Sequence, residues 1–288
     1  MKHALKRATT ISEALPYIID FFDKIVVIKY GGSAMIDDEL KARFLRDVVL
    51  LKYVGMHPII VHGGGPAISK ALKRRKIETR FVQGLRYTSK EVMQTVEHVL
   101  GKKINQEIVA LLKKNGAKAK GFYGKKGRVI LARKSWVLSE SGKYVDLGFT
   151  GHPVKVRSRV LWRWMKKGHI PVIAPIGIGP RGRSYNINAD TAAAAVAEHL
   201  KAEKLMLFTD VRGVLGEDKE LISKLTSKEA KSMIKQGVIS GGMIPKVKCC
   251  LHSLKHGAHS VHIIDGRVPH AMLLEIFTNL GIGTMVVK

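Results

Sequence analysis

Two glycine-rich turns follow short apolar runs near the start of the chain. Lys29-Tyr30-Gly31-Gly32-Ser33 comes directly after the run 25–28, and His62-Gly63-Gly64-Gly65-Pro66 after the run 58–61. Glycine lacks the side chain that holds a ligand away from backbone N–H groups. One such turn after a strand is as often a plain tight turn. Two of them at successive strand ends predict a crevice that binds an anion.

Two further segments place charged residues beside predicted helix starts. Asn186-Ile187-Asn188-Ala189-Asp190 precedes an alanine-rich helix, and Gly241-Gly242 precedes Lys246. Taken singly, the first is typical of an Asx helix cap and the second of a flexible connection with one solvated lysine. Neither glycine-rich turn has the spacing GxGxxG or GxxxxGK[ST], so the turns predict neither a dinucleotide fingerprint nor a Walker loop.

The elements that must position these residues alternate along the chain. Predicted strands at 25–28, 58–61, 170–175, 205–208 and 261–264, apolar except for His262 in the last, are separated by helical patterns. Strands that are apolar on both faces and alternate with helices predict an α/β fold, with an open, mostly parallel sheet and helices on both faces. We also expect antiparallel hairpins at about 118–150.

Local signals predict several helix boundaries. Gly65 is the expected N-cap of the helix that follows the second glycine-rich turn, with Pro66 at its first position. Thr88 and Glu91 predict a capping box for a long helix that ends at Asn115. Ser12 is the expected N-cap of an N-terminal helix that bends at Pro16. A glycine-rich linker suggests two lobes, 24–180 and 181–288, after an N-terminal helical segment, 1–23.

The composition is strongly basic. The 288 residues include 50 Lys+Arg and 23 Asp+Glu, a formal net charge of +27. Because the basic residues are mostly interspersed through amphipathic segments, a solvated basic surface is favoured, and an acidic or nucleic-acid partner is the alternative. Cys249 and Cys250 are neighbours on a predicted helix and cannot face one another, so we expect reduced thiols and a cytosolic protein. No apolar run reaches the roughly 18–20 residues that span a bilayer, so no membrane partner is expected.

Six segments, in order across nearly the whole chain, closely resemble the N-acetylglutamate kinases of the amino-acid kinase family. They are KYGGSAM (29–35), VHGGGP (61–66), GLRYTS (84–89), NINADTAA (186–193), TDVRGVL (209–215) and GGMIPKV (241–247). The resemblance implies an α/β/α sandwich with an amino-acid lobe and an ATP lobe. It also implies ATP- and Mg²⁺-dependent phosphorylation of the side-chain carboxylate of N-acetyl-L-glutamate in arginine synthesis.

The same resemblance implies roles for individual residues. The catalytic group would be Lys29, Lys246, Asp190, Gly31 and Gly32. The substrate would contact Gly64, Gly65, Arg86 and Asn186, and the nucleotide would contact Thr209, Asp210 and Met243. Mg²⁺ would be held mainly by the phosphates, because it keeps its waters and takes few protein ligands. No other metal site is expected.

The two ends of the chain resemble the arginine-inhibited members of the family, in which N-terminal helices link dimers into a hexamer. This implies a homo-oligomer with L-arginine as effector and a site drawn from Tyr17, Lys204, His270, Glu275, Gly281 and Gly283. Arg212, His152 and Asn279-Leu280 depart from the family pattern. The alternatives are a kinase of another N-acylated acidic amino acid, including a carrier-bound one, and a basic nucleic-acid-binding protein.

Overall fold

The computed structural model describes residues 1–32, 35, 37–138, 142–279 and 281–288. Ser33 of the first glycine-rich turn and Leu280 lie outside the described residues. The strands are β1 (Ile25–Tyr30), β2 (His57–His62), β3 (Phe81–Val82), β4 (Leu85–Arg86), β5 (Lys118–Phe122), β6 (Ile130–Leu138), β7 (Tyr144–Val156), β8 (His169–Ile173), β9 (Ile176–Ile178), β10 (Ser184–Asn186), β11 (Lys204–Thr209), β12 (Lys224–Thr226), β13 (Ser260–Asp265) and β14 (Thr284–Val287).

The helices connect these strands. They are α1 (Lys2–Glu13), α2 (Leu15–Phe21), α3 (Asp38–Tyr53), α4 (Gly65–Arg74), α5 (Lys90–Val96), α6 (Asn105–Lys114), α7 (Ser158–Met165), α8 (Ala189–Leu200), α9 (Ser227–Lys235), α10 (Met243–Lys255) and α11 (Ala271–Phe277). A π-helical segment, Glu97–Ile104, joins α5 to α6, and a short 3₁₀ turn covers Pro180–Gly182. None of the helices in the described ranges is long and apolar enough to cross a membrane.

The predicted α/β architecture with a mostly parallel sheet is confirmed. Eight strands lie side by side in the order β12-β14-β13-β11-β1-β2-β8-β5. Their pairings are parallel except that of β13 with β14. The strands of the first and second halves of the chain meet where β1 pairs with β11, with Val27 opposite Leu205.

Helices cover both faces of this sheet. Val26 and Ile28 of β1 pack into one buried cluster with α3, α6 and α11. Val27, between them, faces a second cluster that includes the alanine side of α8 and Val247 of α10. Successive side chains of a strand point to opposite faces, so a strand covered on both must be apolar throughout. This is why β1 reads as an uninterrupted apolar run.

The antiparallel hairpins expected at 118–150 are present only in part. β6 and β7 form a long antiparallel pair, which closes with β9 and β10 into a small barrel. β5, however, pairs in parallel with β8 at the edge of the main sheet. The alternation Lys-Ala-Lys in β5 predicts a hairpin strand. An edge strand of a parallel sheet can show the same alternation, because it too is exposed on one side.

Three predicted helix caps are wrong. Gly64, at a φ of +153°, is the N-cap of α4, and Gly65 already lies within the helix. Ser89 caps α5 by accepting from the Val92 N–H, while Thr88 is fully buried and bonded elsewhere. α1 begins at Lys2, so Ser12 lies inside it, and the helical path is interrupted at Ala14. Pro16 explains that break, because proline has no N–H to donate to the carbonyl of Ser12.

Candidate active site

Lys29, Asp190 and Lys246 meet at the carboxyl end of β1. The Nζ of Lys29 lies 3.1 Å from Oδ1 of Asp190, and the Nζ of Lys246 lies 3.5 Å from Oδ2. Lys29 also donates to the backbone carbonyl of Phe208 at 3.1 Å. One carboxylate thus joins two ammonium groups that belong to distant parts of the sequence.

Local structure explains how each member arrives there. Lys29 is the fifth of the six residues of β1, which lies near the centre of the eight-stranded sheet. Asp190 lies in the first turn of α8, which Asn188 caps by accepting from the N–H groups of Asp190 and Thr191. Lys246 lies in the first turn of α10, where the positive end of the helix dipole does not stabilise a cation. The Asp190 carboxylate provides the negative charge that stabilises the Lys246 ammonium group.

The ionisation of Asp190 follows from these contacts. Burial by itself would raise the pKa of its carboxyl group, but the charges of Lys29 and Lys246 outweigh burial and hold the pKa below its usual value. Cys249, one turn after Lys246, is close enough for its thiol to donate to the carbonyl of Asp190 at 3.5 Å. Burial raises the pKa of the Cys249 thiol to about 12, so this residue is a neutral packing group beside the ion triad.

A cavity of about 240 Å³ opens beside the triad. Both glycine-rich turns line it, and Arg86, Asn186 and the Asn188-Ala189-Asp190 segment close its other side. The sequence predicts that the two glycine-rich turns share one crevice, and the structure brings them together.

Arg86 projects into this cavity from the small β3–β4 hairpin. Its guanidinium donates to Thr79 Oγ1 at 2.9 Å, Ser69 Oγ at 2.8 Å and the Gly65 carbonyl at 3.3 Å. The side chain is only 6% exposed, and burial lowers the pKa of the guanidinium. No carboxylate among the described residues forms an ion pair with it. A buried cation held by neutral groups creates a strong preference for an anionic ligand.

A buried hydroxyl network supports the same wall of the cavity. Thr150 donates to the Arg86 carbonyl and lies 3.0 Å from Thr88 Oγ1. Asn186 donates to Thr88 Oγ1 at 3.2 Å. Neither threonine is recognisable from the sequence as part of this wall. Thr88 precedes Ser89, the residue that caps α5, and Thr150 carries no local signal because its partners come from other segments.

His62 supports the second glycine-rich turn from beneath. It is fully buried, and burial lowers the pKa of its imidazole to about 4, against the opposing effect of a bond to Gly63. Its Nδ1 lies 2.8 Å from the Gly63 carbonyl, and the Asn105 amide lies 3.2 Å from its Nε2. A carbonyl can only accept, so Nδ1 carries the proton and Nε2 accepts from Asn105. His62 is therefore a neutral support for the loop backbone.

A side chain at any of three glycines around the crevice would make close contacts. A Cβ on Gly31 would lie 2.8 Å from Lys29 Nζ. At Gly32, where φ is +74°, it would lie 2.5 Å from Asp210 Oδ1, and at Gly64 it would collide with Leu100. Nothing lies within 4 Å of the corresponding position at Gly65, so packing alone does not explain that residue.

The predicted nucleotide residues lie near the triad but outside the cavity lining. Thr209 ends β11 directly after Phe208, whose carbonyl binds Lys29, and the exposed Asp210 follows it. Met243 starts α10, one turn before Lys246, and packs partly against the core. None of the three lines the cavity that contains Arg86.

The residues predicted for arginine are only partly brought together. Glu275 lies 2.6 Å from His262 Nδ1, and Lys204 lies 3.2 Å from His262 Nε2 and above the ring of Phe21. Burial lowers the pKa of Lys204, with the charges of Glu275 and Glu203 opposing it.

The other members of that set have different neighbours. Tyr17 donates to Asn279 Oδ1 at 2.9 Å, which joins α2 to the segment after α11. His270 pairs with Asp47 of α3 at 2.9 Å. A Cβ on Gly283 would lie 2.1 Å from the Ile263 carbonyl, whereas Gly281 has open space. His262 was not predicted, because its position within an apolar strand gives no sign of its two charged neighbours.

Comparison with known proteins agrees with this architecture. A family model described as "Amino acid kinase family" matches residues 24–265. The chain belongs to the amino acid kinase family. Acetylglutamate kinase from Heliobacterium modesticaldum is 52% identical and covers 100% of both chains. The protein of the same name from Symbiobacterium thermophilum is also 52% identical, over 100% of this chain and 99% of its own.

A solved structure of a protein with a different name has the same fold. N-acetylglutamate synthase from Neisseria gonorrhoeae, in complex with coenzyme A and N-acetyl-glutamate, superimposes with a TM-score of 0.87 at 23% identity. The match covers 98% of this chain and 63% of that one, so the present chain spans less than two thirds of the synthase. At this identity the match supports the fold of this family member and not its reaction.

Proposed function

We propose that this chain transfers the γ-phosphoryl group of ATP to the side-chain carboxylate of N-acetyl-L-glutamate, forming an acyl phosphate in arginine biosynthesis. The observation that carries the proposal is the triad of Lys29, Asp190 and Lys246 beside a cavity whose buried Arg86 lacks a carboxylate partner within the described residues. The acetylglutamate kinases that match over their full length support the choice of substrate.

The chemistry requires charge compensation more than proton transfer. A glutamate side chain with an ordinary pKa of about 4.3 is already ionised at neutral pH, so its oxygen can attack phosphorus without a general base. The bond from the γ-phosphorus to the bridging oxygen then breaks, and ADP leaves. The barrier lies in bringing two anions together, and phosphoryl transfer is catalysed mainly by positioning and electrostatic stabilisation.

The triad supplies that compensation. Lys29 extends from the end of β1 and Lys246 from the first turn of α10, and Asp190 holds both ammonium groups in one place. The backbone N–H groups of Gly31, Gly32, Gly64 and Gly65 would hold oxygens of the transferred group and of the acceptor carboxylate. Donors that are already oriented act without reorganising during the reaction, which makes such contacts effective.

The cavity wall would bind the acceptor. Arg86 offers a planar fork that suits a carboxylate, and the hydroxyls of Thr79 and Ser69 hold it in place. Asn186 has one amide N–H bonded to Thr88 and lines the cavity, so it can present its remaining polar groups to the acetamido end. These contacts favour a dianionic N-acyl amino acid.

The nucleotide would lie across β11 and the start of α10, near Thr209, Asp210 and Met243. The donor set fits a Mg²⁺ ion carried by the phosphates, because Asp190 is already held by two lysines. Such an ion neutralises charge on the β- and γ-phosphates. In this division, residues 24–180 form the acceptor lobe and residues 181–288 the nucleotide lobe, with the cavity lined mostly by the former.

Residues 1–23 would mediate oligomerisation and carry the response to L-arginine. The apolar residues Leu5, Ile11 and Ile19 of α1 and α2 are 60%, 73% and 65% exposed, which is costly unless another chain covers them. The contact of Lys204 with Phe21 and that of Tyr17 with Asn279 connect this segment to the proposed effector site.

Trapping of the acyl phosphate with hydroxylamine tests the activity. The protein is incubated with ATP, Mg²⁺ and a panel of N-acyl amino acids, and hydroxamate is measured for wild type, Lys29→Ala and the control Lys228→Ala, which removes an exposed lysine of α9. We expect hydroxamate from N-acetyl-L-glutamate, a loss on the order of 100-fold or more in Lys29→Ala and no change in Lys228→Ala. Absence of hydroxamate from every acidic acceptor contradicts the proposal, and a preference for another acceptor identifies a related kinase.

Truncation tests the role of the N-terminal segment. Arginine inhibition and the mass of the assembly in solution are compared for the full chain and a chain that begins at Asp23. We expect the truncated chain to form a smaller assembly and to require more arginine for half inhibition. Superimposable inhibition curves would contradict the proposed role.

A further inference from the structure

A carboxylate and two imidazoles form a cluster on the surface, away from the crevice. Glu198 belongs to α8, His252 to the last turn of α10, and His256 is the C-cap residue of α10. One ligand atom from each of the three lies within 4.8 Å of the other two. We propose that Glu198, His252 and His256 form a binding site for a divalent transition-metal ion of the Zn²⁺ class, which bridges α8 and α10.

The spacing of the ligands suits such an ion. His252 and His256 are four residues apart, which places them on one face of a helix, and their ring centroids are 4.1 Å apart. The Nε2 of His252 lies 3.8 Å from Oε2 of Glu198 on the neighbouring helix. Tetrahedral Zn²⁺ with bonds of about 2.1 Å separates its ligand atoms by about 3.4 Å. Small rotations of these side chains close the difference, and the fourth position stays open.

One imidazole is already oriented for coordination. The Nδ1 of His256 lies 2.8 Å from the carbonyl of His252. Because a carbonyl only accepts, this contact requires the proton on Nδ1 and keeps the lone pair of Nε2 free. Metal-binding histidines usually donate their second ring N–H to a carbonyl or carboxylate in this way. Imidazole and carboxylate together favour Zn²⁺, Ni²⁺ or Cu²⁺ over Ca²⁺ or Mg²⁺.

Local electrostatics offset the charge of the whole protein. A net charge of +27 disfavours a bound cation. At this position, however, α8 ends at Leu200 and α10 at Lys255, so the negative ends of two helix dipoles lie beside the Glu198 carboxylate. The cluster is therefore a place where this basic surface can accept a cation.

The ion would join two helices that also meet at the candidate active site. At their first turns, α8 and α10 are connected by the contact of Asp190 with Lys246. Toward their last turns, they are connected by the contact of Glu198 with His252. The helices thus run in the same direction, and a bridging ion fixes the end opposite to the triad.

Calorimetric titration with Zn²⁺ tests the site. Tag-free protein, stripped of metal with a chelator, is titrated at 0.15 M salt as wild type, His256→Ala, Glu198→Gln and His259→Ala. The last variant is the matched control, since His259 is exposed in the same segment and lies outside the cluster. We expect one site per chain, an affinity lowered at least about tenfold in His256→Ala and Glu198→Gln, and an unchanged affinity in His259→Ala.

Hydrogen exchange distinguishes an ion that bridges α8 and α10 from an ion that is bound by α10 alone. Zn²⁺ is expected to slow amide exchange in the last turns of both α8 and α10 in wild type, and in neither in His256→Ala. Equal affinity of wild type and His256→Ala would overturn the site. Unchanged affinity in Glu198→Gln, or protection confined to α10, would overturn the bridge. The substituted side chains are partly or fully exposed, and circular dichroism confirms that each variant is folded.

Discussion

Lowering the pH from 7.5 to 5.0 should destabilise the protein through His62. Its imidazole has a pKa of about 4 in the folded protein, compared with 6.5 for the ordinary group. Between these values the unfolded chain binds a proton that the folded chain does not bind. The contribution of His62 to the unfolding free energy is therefore fully present above about pH 6.5 and is lost as the pH falls toward 4.

The size of the effect follows from the difference in pKa. A pKa of about 4 in place of 6.5 corresponds to about 3 kcal/mol of unfolding free energy, at 1.36 kcal/mol per pKa unit. At pH 5.0 about 2 kcal/mol of this is already lost, because the unfolded imidazole is almost fully protonated there and the folded one is still neutral.

Urea unfolding of wild type and His62→Gln at the two pH values measures this contribution. Glutamine is neutral, and its amide can donate to the Gly63 carbonyl and accept from Asn105, as the imidazole does. Subtracting the pH-dependent loss of unfolding free energy of the variant from that of wild type removes the effects of the other titrating groups. We expect wild type to lose about 2 kcal/mol more than the variant. Equal losses would refute the reasoning, as would an NMR titration of the wild-type His62 ring with a midpoint near 6.5, a measurement that does not depend on the variant.

Three substitutions test the crevice by steady-state kinetics. Asp190→Asn removes the charge between the two lysines and should lower kcat on the order of 100-fold or more; a change below threefold would argue against its positioning role. Arg86→Lys keeps the charge but loses the planar fork, so we expect KM for the acceptor to rise by about tenfold or more, with a smaller change in kcat. An unchanged KM would contradict carboxylate binding by Arg86. Gly32→Ala places a Cβ 2.5 Å from Asp210 Oδ1 at a φ of +74° and should lower kcat/KM on the order of 100-fold, whereas wild-type kinetics would show that the loop adapts.

The fold was accessible from the sequence because its signals are local. The apolar runs of β1, β2, β8 and β11 are uninterrupted, since each strand is covered on both faces, and His262 alone interrupts the run of β13. The local predictions were wrong where one sequence pattern is compatible with two different local structures. β5 at the sheet edge alternates as a hairpin strand does, and Thr88 precedes Ser89 at a helix start, where either residue could cap.

The candidate site was only partly accessible. The glycine-rich turns, Lys29, Asp190 and Lys246 were found because they lie in short recognisable segments. Thr150 and His262 are not recognisable as site residues, and the supporting role of His62 in its turn is not either, because each acts through partners from other elements. A residue type in an ordinary strand gives no sign of what lies beside it in space.

The sequence by itself determined the α/β class, the places where the chain turns at strand ends, and the residue types available there. These features depend on side-chain periodicity and on backbone angles, which act over a few residues. The tertiary structure alone decided that one carboxylate holds two lysines, that Arg86 is buried without a carboxylate among the described residues, and that Glu198 meets the His252–His256 pair. Those contacts depend on how α8 and α10 pack on the sheet and on each other, because charges from distant segments interact only once packing has brought them within a few ångströms.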